Sequence, residues 1–252
     1  MKKIFLVLIF VSLGLNAQSV KVTYSEKRII TPEKLKSMPE DVRGATLAEM
    51  KIPKLFTLEA SQGISFYEKD KSTKDFNYQK TGLSKDTDGS VGRSTIIVNK
   101  KNTPFFYYKD INQDLMLFKL TNSEIEFDGK DKLIQWDWEI LTETKVINGY
   151  KCKKAISNAF KANFIAWFTE EIPMSAGPEK FGGLPGLILY VDTGAVEFFA
   201  EKIEVLKENS FIIKPETPQK TVTFLEMFDI ATKKHYDVMN SKNREGVRIE
   251  AY

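Results

Sequence analysis

One histidine and one cysteine limit the chemistry that this chain can perform. The histidine is His235 and the cysteine is Cys152, so no intramolecular disulfide can form. Two such side chains cannot supply the ligands that zinc or copper usually takes. His235 lies in an apolar stripe at helical spacing, which favours a partly buried histidine over a general base. Cys152 follows Tyr150 at strand spacing, and we expect a buried, free thiol. The sequence therefore predicts no metal site, no cofactor and no catalytic histidine or cysteine.

Acidic residues are the remaining candidates for catalysis. Asp137 and Glu139 form one close pair, and Glu170 and Glu171 form another. Spacing along the chain cannot give the distance between carboxylates that glycoside hydrolysis requires. Asp86-Thr-Asp88-Gly-Ser90 is similar to a calcium loop, but its glycine comes one place early and the closing glutamate is missing. We interpret these residues as solvated strand, loop and turn positions.

A glycine- and proline-rich segment, residues 177–188, leads into an apolar run. Pro185-Gly186 suits the central positions of a type II turn, which needs positive φ at the glycine. Gly182 and Gly183 would let the backbone pass close to another element. We interpret the segment as a structural corner, with a partner-binding loop as the alternative. The candidate binding residues are this segment and the tryptophans, namely Trp136, Trp138, Trp167, Gly183, Leu184, Pro185 and Gly186.

Strands must position most of these residues. Residues 94–206 alternate between short strand-like runs and turn signals, which predicts consecutive antiparallel hairpins. Asn148-Gly149 joins two such runs within residues 143–155 and predicts a two-residue type I′ turn. Trp136 and Trp138 alternate with polar residues in a predicted strand over residues 133–146. Trp167 lies in a run, residues 164–168, that is apolar on both faces and is expected to be covered on both sides.

Other elements are predicted at the two ends of the chain. Residues 20–24 alternate as a half-buried strand, and Thr31-Pro32 starts one or two short helices within residues 32–51. Residues 69–93 are polar without periodicity and are expected to be a long surface loop. Thr223 and Glu226 have the spacing of a capping box before an amphipathic C-terminal helix. The fold class is thus mainly β, a single curved antiparallel sheet or half-open barrel with a few peripheral helices.

The N-terminus predicts export. Lys2 and Lys3 precede an apolar run, and Asn16-Ala17 closes it, as in a secretory signal peptide at residues 1–17. The run is shorter than the ~20 apolar residues of a membrane span, and no later run reaches that length. Removal of residues 1–17 lowers the formal net charge from +3 to +1, which disfavours nucleic acid as a partner. Residues 18–252 are interpreted as one periplasmic or extracellular domain without a lipid anchor.

Several motifs together resemble the GLPGLI family of exported bacterial proteins. They are Gly183-Leu-Pro-Gly-Leu-Ile188, the run from Trp138 to Lys145, Ile147-Asn-Gly-Tyr-Lys-Cys-Lys-Lys-Ala155, Ala166-Trp-Phe-Thr169, Ile172-Pro173 and Gly177-Pro178. The resemblance implies a periplasmic or secreted β-rich domain, frequently encoded near TonB-dependent outer-membrane transporters. It carries no catalytic residue over to this chain.

The preferred function is an exported, non-enzymatic binding or assembly protein of the cell envelope. The resemblance extends this to an accessory role at a TonB-dependent outer-membrane transporter. One alternative is a hydrolase of an extracellular polymer that uses carboxylates the sequence cannot place. The other alternative is a purely structural accessory subunit. Converging acidic residues with raised pKa values would favour the hydrolase.

Overall fold

The computed structural model of the protein describes residues 19–85, 91–122, 124–206 and 211–245. The predicted signal peptide and the calcium-like turn at residues 86–90 lie outside these residues, as does the side chain of His235. The strands are β1 (Ser19–Arg28), β2 (Lys54–Ser61), β3 (Ile64–Lys69), β4 (Phe76–Lys85), β5 (Val91–Lys100), β6 (Phe106–Asp110), β7 (Leu115–Asn122), β8 (Ile125–Asp131), β9 (Glu139–Ile147), β10 (Tyr150–Ser157), β11 (Phe164–Thr169), β12 (Leu187–Asp192) and β13 (Val196–Leu206). The α-helices are α1 (Pro32–Ser37), α2 (Glu40–Met50) and α3 (Phe224–Glu245).

One large antiparallel sheet contains eleven of these strands. Their order is β8-β7-β6-β3-β2-β1-β13-β12-β11-β10-β9, so β8 and β9 are the edges and the sheet does not close into a barrel. The first strand, β1, pairs with β2 on one side and with β13 on the other. This pairing joins the first and the last strand at the centre of the sheet. The mainly β fold class with a C-terminal helix is confirmed.

Alternation along the strands separates an inner face from an outer face. Val20, Val22 and Tyr24 of β1 are each at most 1% exposed, and their side chains point to the inner face with the main core. Successive residues of a strand point to opposite faces, so Ser25 lies on the outer face. Tyr67 and Tyr107 are direct partners on β3 and β6 and extend the inner face. Aromatic side chains therefore line much of this face.

The helices begin where the sequence predicts. The Thr31 side chain accepts a hydrogen bond of 3.2 Å from the backbone nitrogen of Lys34 at the start of α1. At the start of α3, the Glu226 carboxylate accepts from the backbone nitrogen of Thr223 at 2.8 Å, which confirms the capping box. Helical spacing places Met227 and Phe228 together in the predicted apolar stripe. Met227 is buried, but Phe228 is exposed, so the prediction is wrong at Phe228.

The predicted long loop over residues 69–93 is wrong, because β4 and β5 pair as a two-stranded ribbon outside the large sheet. Its side chains are largely exposed, so the apolar alternation that marks a half-buried strand is missing. The ribbon rests on α2, where Lys100 forms a 2.5 Å ion pair with Glu49.

The Asn148-Gly149 hairpin is confirmed, whereas the strand predicted before it is too long. Asn148 and Gly149 have φ values of 49° and 84°, as a type I′ turn requires. Residues 132–138 lie outside any strand, and β9 starts only at Glu139. The two tryptophans in that segment instead hold a loop on the inner face.

Among the described residues, no helix is long and apolar enough to cross a membrane.

Candidate functional site

Three side chains from distant parts of the chain hold residues 177–183 against the inner face. Trp136 Nε1 donates to the carbonyl oxygen of Lys180 at 3.3 Å, and Trp138 Nε1 donates to that of Gly182 at 2.8 Å. Lys109 Nζ donates to the carbonyl oxygens of Gly177, at 2.9 Å, and Phe181. We call residues 177–183 the clamped segment, because its backbone carbonyls are bound by side chains from outside it.

The glycines of this region have other roles than the sequence predicts. Gly186 has no positive φ, so the predicted type II turn is wrong. A Cβ at Gly186 would lie 2.1 Å from the carbonyl oxygen of Thr169, so glycine is needed for a close backbone approach. Gly183 has the positive φ, 81°, whereas a Cβ at Gly182 would meet nothing within 4 Å. Close approach was thus expected at the wrong glycines.

The clamped segment presents an ion pair in an unusual backbone conformation. Glu179 has a φ of 42°, which is uncommon for a residue other than glycine. Its carboxylate lies 2.9 Å from Lys180 Nζ, and the two side chains are only 14% and 17% exposed. Lys180 Nζ also lies 4.8 Å from the centroid of the Phe181 ring. A strained residue carrying a largely buried charge is a frequent feature of functional sites.

The charge of the Glu179 carboxylate contributes to the raised pKa values of two tyrosines on the inner face. Burial, followed by the charges of Glu179 and Glu26, raises the pKa of Tyr67 well above its ordinary value. Burial and Glu179 likewise raise the pKa of Tyr107. Tyr24 is also buried, and its hydroxyl donates to the carbonyl oxygen of Ile188 at 2.5 Å.

The Tyr67 hydroxyl is buried but has no hydrogen-bond partner among the described residues. A buried hydroxyl without a partner is rare in native proteins, because it loses its hydrogen bonds to water. A polar atom without a partner can form a hydrogen bond with a ligand group or an ordered water. We call Glu26, Tyr67, Tyr107 and Glu179 the Glu179 site.

Glu26 connects the Glu179 site to the surface. Burial and the nearby charge of Glu179 raise the pKa of Glu26, and Lys54 opposes this shift. A surface depression is lined by residues 25–28 and 49–54, with Glu26 among them. The depression therefore borders the Glu179 site at Glu26, while Tyr67, Tyr107 and Glu179 are not among its lining residues.

Lys109 combines a positional and an electrostatic role. Lys109 lies on β6 and is only 5% exposed, although its side chain carries an ammonium group. Burial lowers its pKa to about 7, against the opposing effect of Glu179. Its two hydrogen bonds to the clamped segment fix the backbone on both sides of Glu179.

Among the described residues, no group of three or more histidine, cysteine or acidic side chains is placed to hold a metal ion.

The structure brings together only part of the predicted set. Trp136 and Trp138 stack with ring centroids 5.4 Å apart and contact the clamped segment. Gly183 belongs to that segment, and Leu184 directly after it is 1% exposed. Pro185 is exposed, and Gly186 lies against the backbone of Thr169. Trp167 is elsewhere, on β11, with Lys145 Nζ 4.2 Å from its ring centroid.

Sequence reasoning did not find Glu26, Tyr67 or Glu179. Glu26 extends the alternation of β1 by one position, and Glu179 lies within the glycine- and proline-rich segment 177–188. Neither signal relates these residues to Tyr67 on β3, because their proximity depends on the pairing of the whole sheet.

Cys152 is confirmed as buried and free, and burial raises the pKa of its thiol to about 11.

Comparisons with known proteins give a family and a fold. A solved structure described as "Structure of PNGF-II in P21 space group" has a TM-score of 0.50 at 15% identity, over 86% of this chain and 34% of that chain. Another, of PNGF-II in the C2 space group, has a TM-score of 0.48 at 14% identity, over 86% of this chain and 33% of that chain. The chain thus spans about a third of the length of these solved chains. No curated protein matches it.

A family model described as "N-glycanase peptide, N-terminal domain" matches residues 67–232. The match includes Tyr67, Tyr107, the clamped segment and the start of α3, and it leaves out Glu26. It covers more than half of the chain. The chain therefore belongs to the family of N-glycanase peptide N-terminal domains.

Proposed function

We propose that this protein is an exported binding protein that holds a glycan at the Glu179 site. The observation that carries the proposal is the Tyr67 hydroxyl, which is buried without a partner among the described residues and lies near two carboxylates. Sugars offer many hydroxyl groups that can both donate and accept hydrogen bonds. Such groups complement carboxylate oxygens and a tyrosine hydroxyl at the same time.

The rigidity of the site supports binding. The clamped segment is held by hydrogen bonds from Lys109, Trp136 and Trp138, so Glu179 keeps its position without a ligand. A ligand then does not have to order the loop, and the loss of entropy on binding is smaller. The family description names an N-glycanase, which makes an N-linked glycan the first ligand to test. Export is supported by the signal-like pattern at residues 1–17.

The binding test uses a glycoprotein with one N-linked glycan and the same protein after removal of the glycan. Isothermal titration calorimetry should detect binding of the first and not of the second. Tyr67→Phe removes the unpartnered hydroxyl and should weaken binding by ~5- to 10-fold, since a hydrogen bond of this kind contributes ~1–1.5 kcal/mol. Equal binding of both glycoforms, or unchanged affinity of the Tyr67→Phe variant, would refute the proposal.

One observation favours a second function, a hydrolase. Burial, followed by the charge of Glu179, raises the pKa of Glu26, and two carboxyl groups of which one has a raised pKa are the pairing that glycosidases use. Mass spectrometry of the glycoprotein after incubation would then show a released glycan. Glu26→Gln and Glu179→Gln should each abolish the release, whereas an intact glycoprotein after long incubation would exclude this function.

The transporter-accessory role stays a prediction of the GLPGLI resemblance.

A further inference from the structure

A row of three aromatic residues crosses the outer face of the sheet. Trp167 on β11 is the direct partner of Tyr190 on β12, and Tyr190 is the direct partner of Phe199 on β13. All three are partly exposed. Val191, directly after Tyr190, and Phe198, directly before Phe199, point to the inner face and are buried. Neighbouring strands lie ~4.8 Å apart, so this aromatic row extends over ~10 Å. That length is close to two sugar rings.

A lysine lies above one end of the aromatic row. Lys145 Nζ is 4.2 Å from the ring centroid of Trp167 and 4.7 Å from that of Tyr190. Among the described residues, no carboxylate lies within 4.0 Å of this ammonium, whereas the nearby Lys154 has Glu143 at 3.0 Å. Cation–π contacts at partly exposed sites are weak, so they do not replace an anionic partner.

The position of Lys145 is fixed by its hairpin. Asn148, at the hairpin turn, donates from its side-chain nitrogen to the carbonyl oxygen of Ala200 on β13. This bond ties the end of the β9–β10 hairpin to a strand that carries the aromatic row. Burial lowers the pKa of Lys145 because the hairpin and the two rings remove part of its water. A cation that has lost water without gaining an anion can gain from an anionic ligand.

Polar groups at the edge of the aromatic row could orient a ligand. The Tyr190 hydroxyl donates to Glu197 Oε1 at 2.7 Å, and the Glu197 side chain is 30% exposed. Its other oxygen lies 3.8 Å from Lys27 Nζ and can also accept a hydrogen bond from a sugar hydroxyl. The aromatic row thus has an apolar surface, an acceptor at its edge and an unpaired cation above one end. Few precisely placed polar groups around an apolar surface are usual in ligand sites.

We propose that the aromatic row with Lys145 is a second binding site, for an acidic sugar whose ring packs on Tyr190 and Phe199 and whose carboxylate pairs with Lys145. Neutral sugars would use the same rings without the ion pair and would bind more weakly. This site lies on the face opposite the Glu179 site. It therefore does not depend on the function proposed for Glu26, Tyr67 and Glu179.

The test measures binding of trigalacturonate and of its methyl ester, which has the same rings without the charges, by isothermal titration calorimetry on the purified protein. We expect the acid to bind at least ~10-fold more tightly than the ester, as a charged hydrogen bond implies. Lys145→Gln should weaken binding of the acid by about the same factor. Phe199→Leu should weaken binding of both ligands, because it removes a ring that both contact. The matched control is Lys202→Gln, at a lysine whose side chain is 66% exposed.

Each outcome decides between sites or rejects the proposal. An equal effect of Lys145→Gln and Lys202→Gln would show non-specific attraction by surface charge and would overturn it. The same holds if the ester binds as tightly as the acid, or if trigalacturonate does not bind at millimolar concentration. A loss of acid binding in Tyr67→Phe with none in Lys145→Gln would place the ligand in the Glu179 site instead. Failure of the glycoprotein test alone leaves this result unaffected, so the two proposals are separable.

Discussion

The indole of Trp138 binds the carbonyl oxygen of Gly182, 44 residues further along the chain, at 2.8 Å. This bond joins an extended segment before β9 to the loop that carries Glu179. Trp136 makes the corresponding contact to Lys180 two residues earlier in both segments. The paired contacts explain why two tryptophans at alternate positions occur outside any strand: they bind a loop rather than form a sheet.

Trp138→Phe should therefore destabilise the fold moderately. It removes one hydrogen bond, worth ~1 kcal/mol, and weakens the stacking on Trp136, worth ~0.5–1.5 kcal/mol. We expect the free energy of unfolding, measured in urea, to fall by ~1–2 kcal/mol. Trp167→Phe is the matched control, because the Trp167 indole donates no hydrogen bond within the described residues. Equal losses in the two variants would contradict the role of the Gly182 contact.

Gly186→Ala should be strongly destabilising, although not through its φ. The added Cβ would lie 2.1 Å from the carbonyl oxygen of Thr169, so one backbone must move. Forced overpacking of this kind costs ~1–3 kcal/mol. Gly182→Ala is the control in the same segment, because its Cβ would meet nothing within 4 Å and it should change stability by less than ~1 kcal/mol. Thermal denaturation of both variants checks the difference, and similar melting temperatures would be the contrary result.

Local signals in the sequence predict the fold better than the site. Asn148-Gly149 predicts its turn because the positive φ values depend on those two residues alone. The alternation of β1 and the capping box of α3 are equally local. The β4–β5 ribbon escaped prediction because its exposed strands lack the apolar period that burial imposes.

The Glu179 site could not be predicted for a different physical reason. Glu26, Tyr67 and Glu179 come from β1, β3 and a loop, and no spacing relates them. Their proximity results from the pairing of β1 with β2 and of β2 with β3, together with the clamped segment. The density of Gly and Pro marks residues 177–188 as a distinctive segment, but a glycine in a sequence does not show whether it is needed for a positive φ or for a close backbone approach. In the structure Gly183 has the first property and Gly186 the second.

Lys109 should make the protein more stable as the pH rises from about 7 to 9.5. Burial lowers its folded pKa to about 7, below the ordinary 10.5, so the unfolded chain binds more protons in this range. Stability rises with pH wherever the unfolded state binds more protons, with a limiting slope of ~1.4 kcal/mol per pH unit for one group. Lys109→Met should remove most of this slope, as measured by urea unfolding at successive pH values. Lys202→Met, at an exposed lysine, should keep the wild-type slope, and a Lys109→Met slope equal to wild type would contradict the assignment.

Two buried tyrosines should respond in opposite ways to loss of the hydroxyl. Tyr24→Phe removes a buried hydrogen bond to Ile188 and leaves that carbonyl oxygen without its partner, so stability should fall by ~1–2 kcal/mol. Tyr67→Phe removes a buried hydroxyl that has no partner among the described residues, so stability should stay unchanged or rise. The free energies of unfolding of the two variants, measured without ligand, test this contrast.

The same pair separates binding from folding. If the Tyr67 hydroxyl serves a ligand, Tyr67→Phe should keep or gain stability and lose affinity for the glycoprotein, because the group is unpaired only while the ligand is absent. Tyr24→Phe should lose stability and keep its affinity, because its hydroxyl is already satisfied by Ile188. A loss of more than ~1 kcal/mol in Tyr67→Phe would mean that an ordered water already satisfies the hydroxyl. The Tyr67 hydroxyl would then be part of the core, and the glycan would have to bind elsewhere.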